Sequence, residues 1–187
     1  MNTIGTQRRF VRHRLAQVVV GLTAMTVATM FVAVSPANAT GGSITCTGTE
    51  VLTYNPGLKL YSRTVTLTAT ANFGPCVSTN PAIASGSAGT PPGGVPAKLS
   101  CLNLLDSASG QATVRWNNGT TSRYAFNRSS QTVAGQLITT ATGAVTAGEF
   151  LGRSVLIVSV SPAPNFLDCL SPGGMTQRTG VVTLTIA

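Results

Sequence analysis

The run Gln-Ala-Thr-Val-Arg-Trp-Asn-Asn-Gly-Thr-Thr-Ser-Arg-Tyr-Ala-Phe-Asn-Arg, residues 111–128, decides the fold. Two alternating segments flank Asn117-Asn118-Gly119, and Gly119 supplies the positive φ that a tight hairpin requires. A type I turn closed by a glycine bulge pairs Trp116 with Thr120, Val114 with Ser122 and Ala112 with Tyr124. That register puts Val114, Trp116, Tyr124 and Phe126 on one face and Arg115 and Arg123 on the other. A two-residue loop would split the aromatic residues between the faces, so burial favours the bulged form.

Outward from the hairpin, strand patterns recur. Residues 44–54 and 63–73 read as neighbouring antiparallel strands joined through Asn55-Pro56-Gly57, which is turn chemistry. In the second of them Val65, Leu67 and Ala69 face one way and Thr64, Thr66, Thr68 and Thr70 the other. Residues 72–94, with Gly74-Pro75, Asn80-Pro81 and Pro91-Pro92-Gly93-Gly94, read as a long irregular loop. A strand is expected at 99–105. A second hairpin is expected from 136–145 and 153–160, one helical turn at 165–170, and a last strand at 180–186 with Val182, Leu184 and Ile186 inward. About eight strands, few helix signals and outward threonines predict an all-β fold. An antiparallel β-sandwich, Ig-like in general architecture, is the expected arrangement, and a closed barrel satisfies the same pattern.

Residues 1–39 have the pattern of a secretory signal. Arg8, Arg9, Arg12 and Arg14 precede a largely apolar, uncharged run at 15–34, and Ala37-Asn38-Ala39 is a small-x-small cleavage pattern. The run is also as long as a membrane span, but Thr23, Thr26 and Thr29 weaken the reading as an anchor. Arg8-Arg9-Phe10 lacks the spacing of a twin-arginine signal, so the general secretory route is expected. Residues 40–187 then form a single all-β domain, long enough for a real core.

Cleavage would halve the charge, from +8 to +4, leaving eight Lys and Arg against four Asp and Glu, and would remove the only histidine, His13. The remaining basic residues are scattered, so no nucleic-acid footprint is expected, and no membrane contact once the signal is gone. Cys46, Cys76, Cys101 and Cys169 are an even set without Cys-x-x-Cys spacing, which predicts disulfides rather than a metal site. Antiparallel strands at 44–54 and 63–73 bring Cys46 beside Cys76, and Cys101–Cys169 follows by elimination.

Without histidine there is no Ser-His-Asp or Cys-His site. Glu50, Asp106, Glu149 and Asp168 are the only carboxylates left; Asp168 precedes Cys169 and Asp106 follows Cys101 by five residues, so a Cys101–Cys169 disulfide would bring these two together. A glycosidase pair could be built from them, but a loop cap for Asp168 and a turn for Asp106 explain both. No phosphate-binding glycine loop is present. No catalytic residue, metal or cofactor is therefore assigned.

The chain also resembles a family of small exported actinobacterial proteins with two disulfides and no assigned activity. The matching features are Cys46-Thr47-Gly48, Tyr54-Asn55-Pro56-Gly57-Leu58, Cys101, Trp116-Asn117 before a glycine turn, and Cys169 followed by Pro172-Gly173-Gly174. The resemblance spans most of residues 40–187 and implies export and disulfides. It offers no catalytic residue to carry over.

The expectation is a secreted, non-enzymatic extracellular binding or structural module. Its candidate binding surface is Arg115, Arg123 and Arg128. The partner class expected is a cell-wall polymer or another extracellular protein. The alternatives are a loop-presenting protease inhibitor, using residues 85–96 or 173–180, and a carbohydrate-binding protein, which would need exposed aromatic residues.

Overall fold

β1 (Ile44–Leu58) is hydrogen-bonded along both edges, to β2 (Arg63–Ser78) on one side and to β9 (Met175–Ile186) on the other. That double pairing closes the sheet. The computed structural model describes residues 42–187, so the signal-peptide assignment of residues 1–39 lies outside the described residues. The remaining strands are β3 (Gly86–Gly89), β4 (Val95–Leu99), β5 (Ala108–Trp116), β6 (Thr121–Val133), β7 (Gln136–Gly148) and β8 (Ser154–Pro162). Around the ring the order is β1-β9-β8-β7-β6-β5-β3-β2 and back to β1, all antiparallel. β4 pairs only with β2, on the edge that β3 occupies further along, so β3 and β4 behave as one broken strand.

The expected sandwich is thus replaced by a closed eight-stranded barrel. The reason lies in the strands themselves. β1 and β2 are 15 and 16 residues long, and β1 finds a partner on each edge, leaving neither exposed. Small residues and bulges let the sheet curl. A Cβ on Gly48 would lie 1.9 Å from the carbonyl oxygen of Asn72, and one on Gly143 would lie 1.9 Å from that of Ala125. Glycine alone allows those close approaches. Register slips between Cys46 and Gly48 in β1 and between Arg123 and Tyr124 in β6 add local twist.

The hairpin at 111–128 forms in the expected register. Ala112 faces Tyr124 and Val114 faces Ser122, and the Trp116 N–H donates to the Thr120 carbonyl at 2.9 Å. Gly119 has φ 86°. Val114, Trp116 and Tyr124 are buried, while Arg115 and Arg123 are exposed. The inward alternation of Val182, Leu184 and Ile186 and the helical turn α1 (Phe166–Leu170), capped by Asn165, also match.

Three other expectations are corrected. The turn expected at Asn55-Pro56-Gly57 lies within β1, which runs to Leu58, and Asn55 pairs with Thr66. The irregular loop at 72–94 is about half strand, because β2 runs on to Ser78 and β3 follows, and only 79–85 and 90–94 are irregular. Gly74 and Pro75 are absorbed as a bulge opposite Thr47, where proline's missing N–H breaks no ladder bond. The strand expected at 99–105 is instead a 3₁₀ turn, Leu102–Leu105. There Asn103 Oδ1 accepts from the Ser100 N–H at 2.8 Å and Ser100 Oγ accepts from the Asn103 N–H at 3.2 Å. Such local side-chain bonds compete with a ladder and close a turn.

Both disulfides are as expected, Cys46–Cys76 and Cys101–Cys169, and no described cysteine is free. Cys46 and Cys76 are direct cross-strand partners. Cys101 and Cys169 tie the 3₁₀ turn to α1. The interior holds two apolar clusters. One, around Trp116, Phe73, Phe150 and Leu184, fills one part of the barrel, and the other gathers Tyr54, Leu58, Val65, Leu104 and Met175 around the second disulfide. The outward positions of β1 and β2 carry exposed Thr45, Thr47, Thr49, Thr53, Thr64, Thr68 and Thr70. This polar-out pattern is the reverse of a membrane barrel's apolar outer band. Among the described residues no helix is long and apolar enough to cross a membrane.

Candidate functional site

The barrel's seam is short on one side. β3 pairs with β5 only through Gly86, Ser87 and Ala88, opposite Trp116, Arg115 and Val114. Below that point β5 pairs with β6 alone and β4 with β2 alone. Pro91 and Pro92 lie in the break between β3 and β4, where neither can donate a ladder bond. The wall therefore parts between β4 and β5.

A pocket of about 510 Å³ opens there. Gly89, Thr90, Pro91 and Val95 form one lip, and Ser109 and Gln111 the other. Inside, Leu52, Leu67, Ala69 and Ala71 from β1 and β2 face Ala112, Tyr124 and Phe126 from β5 and β6. The small alanines leave the space, and Tyr124 and Phe126, with ring centroids 5.8 Å apart, bound it on the hairpin side. Pockets of this size and lining suit small organic ligands.

The one charged residue in the pocket lining is Glu50. It shares the inward alternation of Leu52 and Tyr54 on β1. Its Oε1 accepts a hydrogen bond from the Ser159 hydroxyl on β8 and lies 3.8 Å from Arg178 Nη2 on β9. The Arg178 side chain is only 8% exposed. Tyr54, four residues further along β1 and opposite Leu67, is also buried. Burial pushes its phenol above the ordinary value. The positive charges of Arg178 and Arg128 pull against that, and the Glu50 carboxylate adds to it. Burial likewise pushes Tyr124 up to about 12. Both tyrosines are thus neutral hydroxyl donors under ordinary conditions.

The structure separates the three arginines of the expected binding surface. Arg115 and Arg123 stand exposed on the outer face of the hairpin, and Arg123 donates to Gln111 Oε1 at 2.7 Å. Arg128 follows the alternation of Tyr124 and Phe126 instead and is half-buried. The remaining carboxylates are dispersed. Asp106 caps the 3₁₀ turn, Asp168 Oδ1 accepts from Asn165 Nδ2 at 3.4 Å, and Glu149 Oε1 accepts from Asn80 Nδ2 at 3.2 Å. Among the described residues no three His, Cys, Asp or Glu side chains gather as a metal site would need. Of the two loops considered for an inhibitor, 173–180 enters β9 at once, with Met175 buried, and 85–96 supplies β3 and part of β4. Trp116 is 3% exposed, so it offers no sugar-stacking platform.

No family model, curated protein or solved structure matches the chain.

Proposed function

We propose that the chain is an exported, non-enzymatic extracellular binding module whose ligand lies inside the barrel, between the lips formed by β4 and β5. The observation that carries this reading is the pocket of about 510 Å³, apolar along its walls and polar at Glu50, in a barrel otherwise filled by side chains. Eight-stranded barrels are wide enough to hold one small ligand when their interior residues are small. Here Ala69, Ala71, Ala88 and Ala112 are the small residues that leave the space. The disulfides and cross-strand ladders make the site rigid, which limits the ordering cost of binding.

A non-enzymatic role is supported by what holds Glu50. It is tied to Ser159 and Arg178, and the other three carboxylates stand on separate elements outside the pocket. The resemblance to small exported actinobacterial proteins is part of the same proposal and supports the location.

The test is a thermal-shift screen of apolar and amphiphilic small molecules against the purified, oxidised protein and an Ala69→Trp variant. Compounds that raise the Tm of the wild type and not of the pocket-filled variant support the reading. If nothing raises the wild-type Tm, or the filled variant responds equally, the interior is not the binding site.

A further inference from the structure

We infer that the interior site takes a neutral, largely apolar ligand with one hydroxyl donor, the hydroxyl on Glu50 and the hydrocarbon between Leu52, Leu67, Tyr124 and Phe126. This rests on the interior-pocket reading and adds the chemistry of the ligand.

Glu50 reaches its place because the neighbouring strand leaves room for it. Its partner in the β1–β9 register is Gly180, which has no side chain to block the inner surface of β9. Glu50 can therefore extend over β9 and receive the Ser159 hydroxyl from β8, with Arg178 Nη2 3.8 Å away. Along the other edge of β1, Glu50 is opposite Ala71 and Leu52 is opposite Ala69. Those small residues open the pocket beside Glu50. The Glu50 side chain keeps 19% of its surface. Because it occupies an inward position of a closed sheet, that surface faces the pocket it lines.

Two features of this carboxylate fix the head group. The first is a free acceptor. Oε1 takes the contacts with Ser159 and Arg178, and Oε2 has no hydrogen-bond partner among the described residues. A carboxylate oxygen only accepts, so the group that meets it must bring an O–H or N–H. The second is charge balance, because Arg178 already offsets Glu50. A cationic head would leave a net positive charge in a largely apolar space, which is costly. An anionic head would stand against a like charge. A neutral hydroxyl makes a charge-assisted bond and adds no charge. Unlike an amide, it also brings no carbonyl that would be buried without a donor. Most of the remaining wall is alanine, leucine and aromatic carbon, which selects for an apolar body.

Isothermal titration of the purified, oxidised protein with octanol, heptyl methyl ether, octanoate and octylammonium, each below its solubility or micellar limit, tests the inference. The ether matches the alcohol in heavy atoms and has no donor. Octanol should bind at least about tenfold more tightly than each of the others, the size of one hydrogen bond to a charged group. Glu50→Gln should cut the preference for octanol over the ether to about threefold or less, since the charge assistance is lost, and leave the ether's affinity unchanged. Ala71→Leu fills the space opposite Glu50 without touching its charge and should abolish octanol binding. Equal binding of octanol and the ether overturns the donor contact and leaves the interior pocket standing. Tightest binding of octylammonium or of octanoate overturns the neutral head. A preference that survives Glu50→Gln, or wild-type octanol affinity in Ala71→Leu, overturns the assignment to Glu50. No binding by any of the four removes both the inference and the pocket beneath it.

Discussion

The indole N–H of Trp116 donates to Ser122 Oγ at 2.8 Å, and the Ser122 hydroxyl donates in turn to the Glu149 carbonyl at 2.8 Å. Two polar atoms that the hairpin buries thereby satisfy each other and anchor the turn that ends β7. The Trp116 ring meets Phe150 edge-on, with centroids 5.9 Å apart and planes at 85°. Trp116→Ala should cost about 3–5 kcal/mol, as for other buried aromatic residues. Ser122→Ala should cost about 1–3 kcal/mol, since it leaves the indole N–H without an acceptor. Denaturant midpoints of the two variants check this. A Trp116→Ala protein of wild-type stability would mean that the inward face of the hairpin has been misassigned.

Closure of the barrel depends on two glycines that sit where neighbouring backbones touch. Gly48 and Gly143 each lack room for even a methyl group, with a carbonyl oxygen 1.9 Å from where a Cβ would go. Gly48→Ala and Gly143→Ala must push strands apart, at about 2–4 kcal/mol each, in the range of overpacked sites. Gly173 has nothing within 4 Å of a Cβ, and Gly173→Ala is the tolerated control. Melting temperatures of the three variants should separate the first two from the third. Equal Tm values for all three would show that the sheet does not close as tightly as described.

How far the sequence carries can be judged at particular residues. The hairpin register was legible because a glycine turn and four apolar residues admit one alignment that buries them all. Cys46–Cys76 was legible because strand order and direction place the two cysteines side by side. The barrel was not, because alternation says which face of a strand is buried and nothing about whether the last strand returns to the first. That return is a long-range pairing, β1 with β9, and local pattern does not encode it. The 3₁₀ turn at Leu102–Leu105 was missed because its leucines resemble a strand, while the deciding Ser100–Asn103 exchange lies in two polar residues. Part of the interior site was within reach. Glu50 stands at an inward position between Cys46 and Tyr54, and Arg178 shares the parity of Val182 and Leu184. A charge at an apolar position of a strand is the signal that went unused. Their meeting on the paired strands β1 and β9 is not readable without the register.

The buried tyrosines make stability sensitive to alkali. Tyr124 is neutral in the folded protein and resists ionisation, its phenol pushed up from 10.0 to about 12 by burial. In the unfolded chain it ionises near the ordinary value of about 10. The folded state therefore binds the proton more tightly. The stability this contributes is fully present below about pH 10 and is lost as the pH rises towards about 12, by about 2–3 kcal/mol in all. Tyr54 acts in the same direction, since burial raises it too. Lysine deprotonation overlaps this window, so the informative comparison is with a Tyr124→Phe variant. That substitution keeps the ring packed against Phe126 and removes the ionisable group. Denaturant midpoints followed upward from neutral pH should fall less steeply for Tyr124→Phe than for the wild type above about pH 10. Parallel curves would show that Tyr124 ionises alike in the folded and unfolded chain, and that its hydroxyl is not held in the low-polarity wall of the pocket.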